Sequence, residues 1–154
     1  MAGSSAPTPL YPLYQKMWGV SPVMLTIVFG VYALAVLAAL LVAGRLSDHL
    51  GRRPVLIVAA VSQAFVMLLF ATAGSVTGLL LARVIQGLTT GAAIGAVGAA
   101  MIDLDKSRGA LANAVAPAFG TALGALIGGI CLQYLPGPTH FVYAVLAAIF
   151  IAQA

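Results

Sequence analysis

The chain has 154 residues, of which 62% are hydrophobic and only 6% are charged. A soluble domain usually carries about a quarter of its residues as Asp, Glu, Lys or Arg, so this chain could not cover a water-facing surface and is expected to lie largely in hydrocarbon. The net charge of +4 does not indicate a nucleic-acid partner, because the seven Lys and Arg residues are spread between long apolar runs and form no basic stripe.

Residues 1–22 precede the first long apolar run. The first ten residues contain no basic side chain and no apolar core, so they are not a secretory signal peptide. Tyr11, Tyr14 and Trp18 have the aromatic character of the belt that many membrane proteins place at the lipid–water interface. We therefore expect residues 1–22 to be an extracellular or periplasmic segment that includes the outer end of a missing first helix.

Four apolar segments are long enough to cross a bilayer, which takes about 20 mostly apolar residues in a helix. A fifth apolar run reaches the end of the chain before it could cross. The five predicted spans are residues 23–44, 55–73, 77–102, 110–134 and 141–154, the last one truncated. Short connections make successive helices antiparallel neighbours. The predicted fold is therefore all-α, an antiparallel bundle of transmembrane helices whose first partner is the lipid bilayer.

The basic residues between the spans fall in alternate connections. Residues 45–54 and 103–109 contain all of them (Arg45, Arg52, Arg53, Lys106 and Arg108), whereas the other two connections contain none. Cytoplasmic loops of membrane proteins carry an excess of Lys and Arg. We therefore predict a multi-pass protein of the plasma or inner cell membrane, with connections 45–54 and 103–109 in the cytoplasm.

The first of these connections has the sequence Gly-Arg-Leu-Ser-Asp-His-Leu-Gly-Arg-Arg-Pro over residues 44–54. Glycine allows a tight reversal and a close approach of helices, and a carboxylate among guanidinium groups can form strong, hydrogen-bonded ion pairs. Such pairs could lock one conformation and release another. An alternative is that the arginines are solvated cytoplasmic anchors and that Asp48 is exposed.

This segment resembles the cytoplasmic signature of the major facilitator superfamily, Gly-x-x-x-Asp-(Arg/Lys)-x-Gly-(Arg/Lys)-(Arg/Lys). The matching residues are Gly44, Asp48, Gly51, Arg52 and Arg53. His49 stands where the family usually has Arg or Lys, and we interpret it as a tolerated substitution. The resemblance implies a charge network that gates a conformational change, with Asp103 at the end of the third span as a partner for the arginines. A solvated loop around Asp103 is the alternative.

The third predicted span contains Arg83-Val84-Ile85-Gln86-Gly87, which resembles the family's fourth-helix motif, Arg-x-x-Gln-Gly. An arginine inside an apolar span is costly unless it faces a polar cavity or partner. The resemblance implies that Arg83 and Gln86 serve proton coupling or the substrate cavity. The alternative is an Arg83 side chain that extends along the helix to the outer interface.

Glycines recur at helical spacing on two spans. Gly87, Gly91 and Gly95 lie on the third, and Gly120, Gly124, Gly128 and Gly129 lie on the fourth. The second group is similar to the fifth-helix motif of drug/proton antiporters, Gly-x-x-x-Gly-Pro-x-x-Gly-Gly, although Ala125 stands where those proteins have proline. Helix packing alone would explain both faces, because small residues let the backbones of membrane helices approach closely.

The remaining polar residues give no sign of an enzyme. No nucleophile, base and orienting acid fall together, so we predict no catalytic residue, metal site or cofactor; the single cysteine, Cys131, is read as a buried inert thiol. Ser62-Gln63 and Thr89-Thr90 lie inside spans and could line a cavity. Hydroxyl groups bonded to their own helix are the more common arrangement.

Together these motifs make the chain resemble helices two to six of the N-terminal half of a major facilitator superfamily transporter. The resemblance implies secondary active transport of a small molecule by alternating access, with proton-coupled efflux as the expected direction. It also implies a missing C-terminal half as a partner. The competing hypothesis is a small membrane module that acts through its glycine-lined faces in assembly and transports nothing itself.

Overall fold

The computed structural model describes residues 2–134 and 138–153, and it describes side chains in these ranges except at residues 2, 43–50, 138, 139 and 153. The described residues form helices and no strands. In chain order these are α1 (Ala2–Ser5), a 3-10 turn (Thr8–Leu10), α2 (Tyr11–Trp18), α3 (Pro22–Leu50), α4 (Arg52–Thr72), α5 (Val76–Leu104), α6 (Lys106–Tyr134) and α7 (Pro138–Gln153).

Four of these helices are long and apolar enough to cross a membrane. The qualifying segments are Pro22–Val42 of α3 and the whole of α4, α5 and α6; α7 contributes a shorter apolar stretch, His140–Ala152. Large apolar side chains remain exposed along all of them, for example Leu41, Phe119 and Ile151. Exposing so much apolar surface to water is unfavourable, so these faces are the ones that lipid covers. The all-α membrane fold predicted from the sequence is confirmed.

The two charged connections are much shorter than the sequence suggested. α3 continues to Leu50 and α4 begins at Arg52, so Gly51 alone separates them. Gly51 has φ +84°, a left-handed conformation that glycine adopts without steric cost. Pro54 lies in the first turn of α4, where a missing backbone N–H breaks no hydrogen bond. Arg52 and Arg53 therefore belong to α4 and not to a loop.

Asp105 alone separates α5 from α6 and caps the second of these helices. Its carboxylate oxygen Oδ1 accepts hydrogen bonds from the backbone N–H groups of Ser107 at 2.9 Å and Arg108 at 3.0 Å. These N–H groups have no partner within the helix, so the cap satisfies donors that the reversal would otherwise leave unpaired. Gly109 completes the turn, since a Cβ atom there would lie 2.1 Å from the carbonyl oxygen of Met101.

Removing this cap should lower stability. We expect Asp105→Ala to reduce the free energy of unfolding by about 1 kcal/mol, the usual value of a lost N-cap. Asp105→Asn is the matched control, because asparagine caps as well as aspartate but removes the charge. Reversible unfolding in detergent micelles measures both. Equal losses in the two variants would show that charge, and not capping, is what Asp105 contributes.

α5 lies at the centre of the bundle and packs against α3, α4 and α6. It approaches α3 closely at two glycines. A Cβ atom on Gly87 would lie 2.6 Å from the carbonyl oxygen of Tyr32, and one on Gly91 would lie 2.6 Å from that of Val36. The two backbones are therefore close enough that no larger residue fits between them without a shift.

The other glycines of the two faces differ in their surroundings. Gly95 would meet only the side chain of Leu40, at an ordinary contact distance of 3.9 Å. On α6, Gly124 is buried, and a Cβ atom on Gly128 would lie 2.6 Å from the carbonyl oxygen of Ala6. Gly129 meets nothing within 4 Å among the described residues. Gly128 therefore allows a close backbone contact with Ala6, whereas Gly129 leaves space that a Cβ atom could occupy among the described residues.

The N-terminal residues fold into the bundle. Ser5 donates from its hydroxyl to the carbonyl oxygen of Thr121 on α6 at 2.7 Å, and Leu10, Tyr11 and Tyr14 are buried. The phenol oxygens of Tyr14 and Tyr143 lie 3.0 Å apart, which ties α2 to α7. Tyr11 and Tyr14 therefore face the interior of the bundle, and the assignment of residues 1–22 to an extracellular or periplasmic segment with the outer end of a missing first helix stays a prediction.

Candidate functional site

Arg83 is the most deeply buried charged group that the structure describes. It lies on α5 and has no exposed surface. Its Nη1 atom donates to the carbonyl oxygen of Ser4 at 3.0 Å and to Oε1 of Gln86 at 2.6 Å, and its Nη2 atom contacts the hydroxyl of Tyr11. The guanidinium group therefore points into the bundle and does not extend along α5 to the interface.

Aromatic rings surround the same guanidinium group. Its central carbon lies 5.4 to 5.6 Å from the ring centroids of Tyr11, Phe29, Tyr32 and Phe70, which come from α2, α3 and α4. A cation over the face of an aromatic ring is attracted by the negative potential there, and more strongly when water is excluded. The rings compensate part of the cost of burying the charge.

No carboxylate contacts Arg83 in the part of the chain that the structure describes. The sequence has three acidic residues; Asp103 and Asp105 lie at the far end of α5, and the side chain of Asp48 lies outside the described residues. The Nε atom of Arg83 is buried and has no hydrogen-bond partner among the described residues. Within the described residues, the positive charge is therefore held by neutral groups, with one donor unused.

Gln86 links this cluster to α4. Its Nε2 atom donates to the carbonyl oxygen of Gly3 at 2.8 Å, and its own backbone carbonyl accepts from Nε2 of Gln63 at 3.4 Å. The same Nε2 atom of Gln63 donates to the hydroxyl of Thr90 at 2.6 Å. Residues from α1, α2, α4 and α5 thus form one buried polar cluster around Arg83, which we call the Arg83 cluster.

The sequence indicated only part of the Arg83 cluster. Gln63 and Thr90 stood out as polar residues inside apolar spans, but the common arrangement of a hydroxyl bonded to its own helix holds for Thr89 and not for Thr90. The contributions of Ser4 and Tyr11 went unrecognised, since nothing in their spacing relates them to α5. Their carbonyl and hydroxyl groups reach Arg83 only because the N-terminal residues fold back into the bundle.

The second candidate site lies at the ends of α4 and α5 that carry the charged connections. Arg52 Nη1 and Asp103 Oδ2 form an ion pair there. Arg53, on the same turn, is exposed. Gly44 and Asp48 belong to the last turns of α3, but their side chains lie outside the described residues, so their part in this site stays a prediction. The ion pair brings the Gly51 and Asp105 reversals to one end of the bundle.

A cleft between α5 and α6 lies next to this end. It has a volume of about 270 Å³ and is lined mainly by apolar residues together with the amide of Asn113, the ring of Pro117 and Gly120. The Asn113 side chain also fills the space above Gly98, with its Oδ1 atom 3.1 Å from where a Cβ would lie. Gly120 therefore borders an open cleft, whereas Gly124 and Gly128 are enclosed.

Comparison with known proteins identifies the family. The model of the Major Facilitator Superfamily matches residues 1–153. A multidrug resistance protein MdtL of Klebsiella pneumoniae (strain 342) is 42% identical over 73 residues, which are 47% of this chain and 19% of that protein. A class D tetracycline resistance protein of Salmonella ordonez is 36% identical over 110 residues, 68% of this chain and 27% of that protein.

The chain thus spans about a fifth to a quarter of the length of the relatives it matches. The family is one of membrane transporters and not of enzymes, which agrees with the lack of a catalytic constellation predicted from the sequence. The match covers nearly every residue, including the N-terminal segment and all four long helices. On this evidence the chain is a multi-pass membrane protein and belongs to the Major Facilitator Superfamily.

Proposed function

We propose that this chain is part of a secondary active transporter that exports a small amphiphilic or hydrophobic molecule, driven by a proton gradient. The observation that carries the proposal is the fully buried Arg83, hydrogen-bonded to Gln86 in a membrane-embedded helix. The names of the relatives, a multidrug and a tetracycline resistance protein, support export of a drug-like compound.

A buried arginine is an expensive feature in a membrane, and such residues mark ion or substrate pathways. Here the charge has no carboxylate partner among the described residues, so it adds a positive potential to the interior. That potential lowers the affinity of nearby groups for protons and raises it for negative charge. Coupling follows if the rest of the transporter places a titratable acid or the substrate within reach of Arg83 in one conformation.

The cytoplasmic charge network would control which conformation is populated. The Arg52–Asp103 ion pair joins α4 to α5 at the end of the bundle that carries the charged connections. Asp48 belongs to the last turns of α3, at the same end. Ion pairs that form in only one arrangement of two rigid bodies bias the equilibrium between those arrangements. Alternating access would need a second bundle to rock against this one, the C-terminal half of the transporter.

The same features support a location and an orientation. The basic connections lie together at one end of the bundle, next to the Arg52–Asp103 pair, and basic connections favour the cytoplasmic side. We therefore place connections 45–54 and 103–109 in the cytoplasm and the bundle in the cell membrane, with protons and a small molecule as the transported species.

The direct test is transport by the full-length protein that contains this chain. Purified and reconstituted into vesicles with an imposed pH gradient, it should move at least one compound of an amphiphilic panel and move protons in the opposite direction. The fragment alone should transport nothing, because it supplies only part of one bundle. If the coding sequence around it encodes no further helices, the assembly-module hypothesis is favoured instead.

Neutralising Asp48 should impair transport without preventing membrane insertion. We expect Asp48→Asn in the full-length protein to slow transport by about fivefold or more, the effect of a coupling of about 1 kcal/mol between conformations. Asp105→Asn, which keeps the α6 cap, is the control for loss of an acid at the same end. Unchanged flux in Asp48→Asn vesicles with normal protein content would remove Asp48 from the gating network.

A further inference from the structure

We propose that a small cavity between α1, α4, α5 and α7 is a binding site for ordered water, held by the side-chain carbonyl oxygen of Gln63. The cavity has a volume of about 80 Å³, and the residues around it include Gly3, Ser4, Gln63, Thr90, Ile94 and Phe150. It adjoins the Arg83 cluster on the side of α4. Such a water site would exist in the bundle whether or not the protein transports a drug-like compound.

In the side-chain amide of Gln63, the nitrogen has hydrogen-bond partners among the described residues, whereas the oxygen has none there. Its side chain is only 7% exposed. Nε2 donates to the carbonyl oxygen of Gln86 and to the hydroxyl of Thr90, and since a carbonyl oxygen can only accept, the nitrogen must be the atom that faces Gln86. This fixes the orientation of the amide and leaves Oε1 buried without a partner among the described residues.

A buried acceptor without a donor is costly, by about 1–3 kcal/mol, and native proteins commonly satisfy such groups with internal water. Gln63 is itself one of the residues that line the cavity, so a water molecule there is close to the side chain whose oxygen lacks a partner. A water site needs only about 10–15 Å³ measured with a water-sized probe. The cavity is therefore large enough for at least one water molecule.

The polar groups around the cavity select a ligand that donates hydrogen bonds. The carbonyl oxygens of Gly3 and Ser4, which already accept from Gln86 and Arg83, can each accept a second bond. The hydroxyl of Thr90 accepts from Gln63 and keeps its own proton to donate. Water can donate to Gln63 and accept from Thr90 at once, whereas an anion would meet mostly acceptors. This gives water the two to four partners that a stable site requires.

Water at this position adds a second link within the Arg83 cluster. Ser4 lines the cavity and its carbonyl oxygen accepts from Arg83, so water hydrogen-bonded to that oxygen polarises a group that holds the guanidinium. It also joins Gln63 to Gly3 and Ser4, so α4 is connected to the N-terminal residues by a path that does not pass through Gln86. The two ends of the cluster then form one continuous network.

Water-edited solid-state NMR tests the site on the full chain in lipid vesicles. Magnetisation that starts on water should reach the Gln63 side-chain amide and Thr90 quickly, although both are buried. Val66 and Met67 are also fully buried and have apolar side chains, so they set the rate expected without nearby water. Transfer to Gln63 and Thr90 that is no faster than to Val66 and Met67 would overturn the proposal.

A variant separates bound water from general hydration of the bundle. Gln63→Met keeps the length of the side chain but removes both polar atoms, so transfer to Thr90 should fall to the level of Val66. Thr89→Val is the control, because among the described residues the Thr89 hydroxyl bonds to carbonyl oxygens of its own helix at 3.0 and 3.1 Å, and transfer to Gln63 should be unchanged. Fast transfer to Thr90 that persists in Gln63→Met would assign the water to another group and contradict the site.

Discussion

Replacing Arg83 by leucine in the full-length transporter should abolish proton-linked transport while the protein still folds and inserts. The substitution removes two hydrogen bonds from the guanidinium group, to Ser4 and Gln86, and its contact with the Tyr11 hydroxyl. A hydrogen bond to a charged group is worth about 1.5–3 kcal/mol. If one such bond forms in only one conformation, losing it shifts the balance between conformations and lowers flux about tenfold or more. It also removes the positive potential through which a titratable partner would be coupled.

The measurement is substrate-dependent proton movement in reconstituted vesicles, compared with the same variant's binding of substrate. Arg83→Lys is the matched control. Lysine keeps the charge but lacks the planar fork that reaches Ser4, Gln86 and Tyr11 together, so it should retain part of the coupling if charge is what matters. Full proton-linked transport by Arg83→Leu would show that Arg83 is a structural residue only.

Converting Gly91 to alanine should strongly destabilise the bundle. The added Cβ atom would lie 2.6 Å from the carbonyl oxygen of Val36 and 2.7 Å from the Cβ atom of Ala39, so α3 and α5 would have to move apart. Overpacking of this kind costs about 1–3 kcal/mol. We expect a corresponding fall in the free energy of unfolding in detergent, larger than the effect of losing the Asp105 cap.

Gly129→Ala is the control for this prediction. Gly129 is also a helical glycine, but a Cβ atom there meets nothing within 4 Å. Alanine is better than glycine in a helix by about 0.5–1 kcal/mol, so this variant should be as stable as the wild type or more so. If both alanine variants behave alike, the close approach of α3 and α5 is not what the glycines provide.

The helices and their membrane character follow from the sequence, because length and hydropathy alone decide what a bilayer can accommodate. The lengths of the connections between the helices were harder to predict from the sequence. Arg52, Arg53 and Pro54 look like loop residues, yet they open α4, since proline and unpaired N–H groups are tolerated in a first turn. A single residue, Gly51, then suffices for the reversal because of its left-handed backbone.

The candidate site was predictable only where its residues share a helix. Arg83 and Gln86 are three residues apart on α5, so their contact follows from helical spacing. Tyr11 and Ser4 meet Arg83 across 72 and 79 residues of sequence, and no local pattern encodes such a distance. The Arg52–Asp103 pair was partly predictable, because short connections bring both residues to the same end of the bundle and their charges are opposite.

The single-residue reversals at Gly51 and Asp105 restrict how this protein can move. Two helices joined by one residue cannot slide lengthwise past each other at that end, so α3 stays in register with α4, and α5 with α6. α3 packs mainly against α5 and much less against α4, and Gly87 and Gly91 bring the backbones of α3 and α5 together. Asp103 lies on α5, the helix that also carries Arg83, so a rotation of α5 that began at the Arg52–Asp103 pair would carry Arg83 along with it.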